Sequence, residues 1–298
     1  MGVLLALVSA VLYGMADLAG GLLSRRAYFA MVALLGQVGG LVLTLVIAPY
    51  TPGSSPGAAD LGWGALSGVG TGLGMVFLYR GLSRGAMSVV VPLSAVSGVV
   101  LPVLTGVAAL GDRPSALSWV GIGVALPALC LVSQESGANE PVPVSERRSR
   151  RGSPLNAGGA FRAPSIDALV AGVGIALQYL ALAQAAPEAG VWPVAAGRAA
   201  AVITVLPLAL SSRKRTPRRL STPQTVAAMA TGMLAAGALV FYLLSVREQL
   251  VVIAVVVSSL YPAIPVLLGI TVLRERLRPL QAAGLVGAAV AVAFLTAG

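Results

Sequence analysis

Ten apolar stretches, each about as long as a membrane crossing, occupy most of this 298-residue chain. A helix needs about 20 mostly apolar residues to traverse a hydrocarbon core of roughly 30 Å. The stretches fall at 3–23, 28–48, 61–82, 87–110, 116–133, 165–185, 191–211, 224–246, 250–273 and 279–297. Their apolar runs are continuous rather than alternating with period two, which predicts helices and not barrel strands. With 57% hydrophobic and only 10% charged residues, the chain does not have the composition of a soluble domain. The expected fold is an all-α membrane protein.

What lies between the stretches is short, except at 134–163. That segment (SQESGANEPVPVSERRSRRGSPLNAGGAFRAP) is rich in Ser, Pro, Gly and Arg and reads as a flexible basic linker. It divides the chain into a first unit, 1–133, and a second, 164–298. The first stretch lacks a basic leader and a small-residue cleavage site, so it reads as a membrane helix rather than a signal peptide.

Composition excludes several chemistries. Histidine is absent, which removes His-based metal sites, Ser–His and Cys–His nucleophile pairs and histidine proton relays. Cys130 is the single cysteine, so no intrachain disulfide forms. No ATP-binding motif is present, and neither a cofactor nor a metal is expected. An enzyme would need a second deep acid, base or nucleophile near the one acid read as deep, and the sequence offers none. The net charge of +10 is assigned to topology rather than to nucleic acid. The junctions after stretches 1, 3, 5, 7 and 9, counted with Arg80 at the end of stretch 3, hold 17 of the 20 basic residues, including those in 147–151 and 213–219. By the positive-inside rule those junctions face the cytoplasm and both termini lie outside. Trp63, Trp119 and Trp192 open their stretches, where an interfacial aromatic belt would place them.

A displacement of 163 residues aligns 78–133 with 241–296 without a gap. Pro102, Val103, Leu104, Gly106, Leu110, Arg113, Leu117 and Gly121 meet Pro265, Val266, Leu267, Gly269, Leu273, Arg276, Leu280 and Gly284, and Asp112 meets Glu275. Five crossings per copy is odd, so the second copy enters the bilayer inverted. Inverted repeats are a common architecture of secondary transporters, with the substrate site between the copies near the midplane.

The repeated pattern, PVLTGVAALGDRPSALSWVGIGVAL and PVLLGITVLRERLRPLQAAGLVGAAVAV, resembles the end of each half in the drug/metabolite transporter superfamily, EamA-type branch. The resemblance covers nearly the whole chain. It implies ten transmembrane helices as two inverted five-helix repeats around a central cavity, and export or exchange of small metabolites. The first copy carries Asp112 where that family usually shows Glu. Many members keep their termini in the cytoplasm, whereas the charge distribution here argues for termini outside.

Asp17 reads as the sole carboxylate deep inside a stretch. An ionisable group at mid-membrane costs about 2.5–3.5 kcal/mol on insertion scales, so it is expected to face a cavity. Tyr13 lies one helical turn earlier on the same face. Counting about 1.5 Å per residue, Asp17 sits about 9 Å and Gln37 roughly 13 Å from one membrane side, which makes them a reasonable pair. Arg198 lies some 10 Å into its stretch, beside Gln178 and Tyr179 at about 9 Å, measured from the other side. This depth count predicts two polar clusters, one toward each mouth, with no Asp17–Arg198 bridge. The plain alternatives are a structural acid held by Gln37 or a hydroxyl, and an arginine that snorkels to the interface.

Prolines suggest broken helices in stretches 4 and 9. Pro92 and Pro102 bracket Ser94, Ser97 and Gly98, while Pro262 and Pro265 follow Ser258, Ser259 and Tyr261. A mid-helix proline removes a donor and frees a carbonyl, which persists in lipid only against protein, water or ligand. The serines and Tyr261 are therefore candidates for a cavity floor; the rival reading is a simple kink with each serine bonded to its own helix. Gly62, Gly64, Gly68, Gly70, Gly72 and Gly74 mimic a nucleotide loop, but no strand precedes them, and small-xxx-small helix packing is the reading adopted. Tyr79 and Tyr242 align across the repeat and are read as guards of the cavity mouths or as interfacial anchors. Asp112–Arg113 and Glu275–Arg276 are read as helix-end ion pairs.

Together these features point to a secondary transporter in the cytoplasmic membrane that exports small polar or amphipathic metabolites by alternating access. Asp17 is the candidate for proton coupling. A flippase for lipid or a lipid-linked precursor is the alternative. Stretches 5 and 10, almost devoid of polar groups, are expected to face lipid or a second copy in a homodimer.

Overall fold

The computed structural model describes residues 1–24, 27, 29–51, 53, 55–84, 87–133, 157–213, 220–271 and 279–298. Among these, all regular structure is helical: α1 (Gly2–Ser24), α2 (Phe29–Ile47), α3 (Ala58–Arg84), α4 (Met87–Ala108), α5 (Ala116–Ser133), α6 (Ala157–Ala183), α7 (Trp192–Arg213), α8 (Thr222–Glu248), α9 (Val251–Ser258), α10 (Ala263–Thr271) and α11 (Pro279–Ala297). Short 3₁₀ turns follow α2 and α6. Seven helices are long and apolar enough to cross a membrane, and α4 and α5 contribute shorter apolar segments. The protein is a multi-pass membrane protein.

Two expectations change and one is met. The basic linker lies outside the described residues except for its end, where 157–163 already belongs to α6. The ninth stretch is broken into α9 and α10 by the turn 259–262. The fourth is not: α4 runs continuously through Pro92 and Pro102. The difference has a local cause. Pro262 has no N–H to return to the Ser258 carbonyl, and under the 163-residue displacement it stands opposite Val99, which keeps its donor.

Contacts between the halves are reciprocal. Counting helices within each half and taking α9–α10 as one, first packs on third (α1 on α8, α6 on α3) and second on third (α2 on α8, α7 on α3). First also packs on fourth (α1 on α9, α6 on α4), second on second (α2 on α7) and fifth on fifth (α5 on α11). The halves interleave rather than sit side by side.

Lipid offers no hydrophobic drive for helices to associate, so close packing must supply it. The glycines of α3 do so. A Cβ on Gly68 would strike the carbonyl of Gly197 on α7, and one on Gly70 would lie 2.6 Å from the Gly174 carbonyl on α6. Gly232 of α8 meets Gly36 of α2 in the same manner. Larger apolar side chains fill two interior clusters. One joins Val99, Val103, Leu129, Val252, Val256 and Leu295; the other joins Tyr179, Leu182, Val194, Leu239, Tyr242 and Val255. Outward positions such as Ile203 and Val286 stay apolar and exposed, as a lipid-facing surface requires. Trp63 and Trp119 are exposed at the starts of α3 and α5, while Trp192 packs against the second cluster.

Candidate functional site

The interleaving brings polar groups from both halves to one place. Arg198 on α7 is buried, donating from Nη1 to Gln37 Oε1 on α2 at 2.9 Å and from Nη2 to the Ala235 carbonyl on α8 at 2.6 Å. It also reaches the Tyr13 hydroxyl. Gln178 on α6, likewise buried, donates from Nε2 to Tyr13 Oη at 3.0 Å and accepts from Thr71 Oγ1 at 2.6 Å. Ser67 Oγ donates to the Gln178 carbonyl at 2.8 Å. Tyr13 is thus the point where α1, α6 and α7 meet, linking α2 and α3 through their partners.

This arrangement corrects the two-cluster expectation. Gln37 pairs with Arg198 rather than Asp17, and Gln178 pairs with Tyr13, so residues read as lying near opposite mouths form one network. Arg198 does not snorkel, because the side chain is buried and both of its hydrogen bonds are inside the bundle.

Asp17 stands at the edge of the network. It is exposed and makes no hydrogen bond to the described residues, yet its carboxylate lies within electrostatic reach of Tyr13, Tyr179 and Tyr261. Tyr13 and Tyr261 face one another, ring centroids 6.0 Å apart and planes at 44°, each half-buried. Behind them Tyr179 packs on Tyr242, centroids 4.6 Å apart, and Tyr242 Oη donates to the Tyr179 carbonyl at 2.9 Å. Tyr242 is fully buried, so it guards no mouth and anchors no interface; the side chain of Tyr79 is outside the described residues.

The helix break lies against α1. Gly14 permits this, since a Cβ there would come within 2.7 Å of the Tyr261 carbonyl. Ser258 Oγ is 3.5 Å from the Ala6 carbonyl, and the hydroxyls of Ser9 and Ser259 are buried without a hydrogen-bond partner. In α4, Ser97 Oγ returns to the Leu93 carbonyl at 2.7 Å and abuts Gly172 of α6, while Ser94 is buried nearby. Ser97 follows the own-helix reading.

Three functional candidates had no sequence signal that singled them out, and a fourth, Asp112, was flagged without its partner. Asp167, buried within α6 near the start of the sixth stretch, is a second carboxylate inside a stretch, so Asp17 is not alone. Asp60 Oδ1 accepts the Ala186 N–H at 2.9 Å. Asp112, rather than pairing at its own helix end, accepts the Val252 N–H through Oδ2 at 2.8 Å. Arg247 Nη2 donates to the Gly190 carbonyl at 2.8 Å. The repeat motif had flagged Asp112 as diagnostic without showing its partner; Glu275 and Arg276 lie outside the described residues.

An all-helical membrane bundle whose halves pack reciprocally around a buried polar network has the form of a transporter. The family model of the EamA-like transporter family matches residues 1–134 and 165–297, and the chain belongs to that family. A solved structure, titled only "Crystal structure of protein", superposes over 99% of this chain and 96% of its own with a TM-score of 0.69 at 16% identity, which speaks to fold alone. No curated protein sequence matches.

Proposed function

We propose that the protein is a secondary transporter of the cytoplasmic membrane that exports small polar or amphipathic metabolites. In this reading ten crossings form two inverted five-helix repeats, 1–133 and 164–298, joined by the basic linker 134–163, with both termini outside. The reciprocal contacts between the halves support the repeat, because each pairing recurs with the halves exchanged.

The observation that carries the reading is the exposure of Asp17 among Tyr13, Tyr179 and Tyr261. A carboxylate inside a membrane bundle needs water, a partner or a cargo group beside it. We take the accessible surfaces of Tyr13, Asp17 and Tyr261 as the lining of a central hollow. Gln37, Gln178 and Arg198 hold Tyr13 in place, and Tyr179 backs the wall. Ser258 and Ser259 at the break form the floor with Ser94; Ser97 serves packing. Asp17 exchanges a proton or binds a cationic group of the cargo as the halves rock between two openings.

The test is a panel of metabolites screened by thermal shift on purified protein, since a bound cargo stabilises the native state. Stabilising compounds then go into proteoliposome flux measurements. Flux above that of empty liposomes supports the reading. Movement of labelled lipid without solute flux would replace it with a flippase.

A further inference from the structure

The start of α1, the end of α11, the described residues of 48–57 and the loops 109–115, 184–191 and 249–250 gather at one face of the bundle. Gly2 packs on Gln249 and its carbonyl accepts from Ser245 Oγ at 2.9 Å, while Gly298 packs on Ser115 and Ser118. This is the face poor in basic residues. Polar bonds cross it from half to half. Asp60 accepts from Ala186 N–H, Asp112 accepts from Val252 N–H, and the Ser55 N–H donates to the Glu188 carbonyl at 3.2 Å. On the second-half side Arg247 ties the end of α8 to the same loop at Gly190.

We infer that Asp60 and Asp112 are latches which hold this face shut and release when the hollow opens toward it. The inference rests on the transport reading above. Each latch joins a first-half carboxylate to a second-half backbone N–H, so an opening of this face that parts the two joined elements must break it. Their chemistry suits repeated release. A carboxylate and an N–H that part at a watery surface are each taken up by water, so the net contribution of the bond is modest: enough to favour the closed face by about tenfold and too little to lock it. A greasy seam would instead expose apolar surface at every cycle. The sites also have direction. Val252 lies in the first turn of α9, where unpaired N–H groups and the helix dipole favour an anion. Ala186 precedes the 3₁₀ turn Pro187–Ala189. Through Val252, Asp112 holds the very helix whose far end breaks at Ser259.

The experiment reads access directly. In a Cys130→Ala background, Ser259→Cys places a thiol at a buried position beyond the α9 latch, and a membrane-impermeant maleimide is presented to the charge-poor face. Asp112→Ala and Asp60→Ala should each raise the labelling rate about tenfold, the scale set by losing one charge-assisted bond. Asp112→Asn, which keeps an acceptor, should fall between. Ala186→Pro should also raise the rate, up to the Asp60→Ala value, because Ala186 already has φ −64° and proline there removes the N–H of the cross-half bond while leaving the bond from Gly57 N–H to Asp60 in place. Combining Ala186→Pro with Asp60→Ala should add nothing to Asp60→Ala alone, since that variant already deletes the Ala186 bond together with the local one from Gly57 N–H. Unchanged labelling in variants that keep the parent melting temperature would overturn the latch. If Asp112→Ala does not fold, the Asp60→Ala and Ala186→Pro pair decides. Faster labelling without flux of any cargo would retain the latch and sink the transport reading; flux with unchanged labelling would do the reverse.

Discussion

The guanidinium of Arg198 donates to Gln37 Oε1 at 2.9 Å, joining α7 of the second half to α2 of the first. Both side chains are buried. A buried cation in lipid needs partners for its donors; Gln37 and Ala235 supply them to the two terminal nitrogens from two helices, while Nε is buried without one.

Gln37→Leu should therefore destabilise the protein by about 1–3 kcal/mol, the cost of leaving a buried donor unmet. Arg198→Met alone should also destabilise, since it leaves the Gln37 amide buried and bare. The double variant should recover part of the loss. Thermal melts of all four proteins give the coupling directly, and strictly additive losses would mean the two side chains do not interact.

Tyr13→Phe removes the acceptor of Gln178 Nε2 and a hydroxyl within electrostatic reach of Arg198. A loss of about 1 kcal/mol in stability is expected, as for a typical hydrogen bond. If Tyr13 lines the hollow, the KM for cargo rises more than the melting temperature falls would explain. A change in stability with KM untouched would make Tyr13 a strut only.

The glycines of the α2–α8 and α3–α7 seams permit a sharp contrast. Gly232→Val and Gly68→Val would drive side chains into the backbones of Gly36 and Gly197, and each should cost at least about 1–3 kcal/mol, as overpacking does. Gly62→Ala meets nothing within 4 Å and should leave the melting temperature unchanged. Equal tolerance at Gly62, Gly68 and Gly232 would contradict the described seams.

Much of this fold could be read from the chain, and the limits have physical causes. Apolar runs located the helices, glycine spacing on α3 located close packing, and the repeated motif placed the chain in its family. Depth along a helix misled for Gln37 and Arg198. Each was measured from its own membrane side, at roughly 13 Å and 10 Å into a core of about 30 Å. The gap that remains is short enough for an arginine side chain to bridge once the halves interleave. Proline counting was right for the Pro262 region and wrong for α4, because a break depends on which carbonyl is left without a donor and on what packs there. Gly14 beside Tyr261 supplies that packing for α9–α10. The partners of Asp60 and Asp112 lie 126 and 140 residues away, a distance over which local pattern carries no information.

Asp17→Asn keeps the size of the side chain and removes its titration. Transport by the parent should depend on pH through this carboxylate, and the variant should insert and melt like the parent while losing that dependence. A pH profile identical in both proteins would remove Asp17 from coupling.

Exchange across the membrane tests the central claim most directly. Proteoliposomes loaded with an unlabelled compound that stabilises the protein are diluted into the same compound carrying a label. A carrier that presents one site to each side in turn should accumulate label transiently above equilibrium, and Asp17→Asn should alter the rate. Entry no faster than into protein-free liposomes, for every stabilising compound, would contradict a hollow that opens alternately to the two sides.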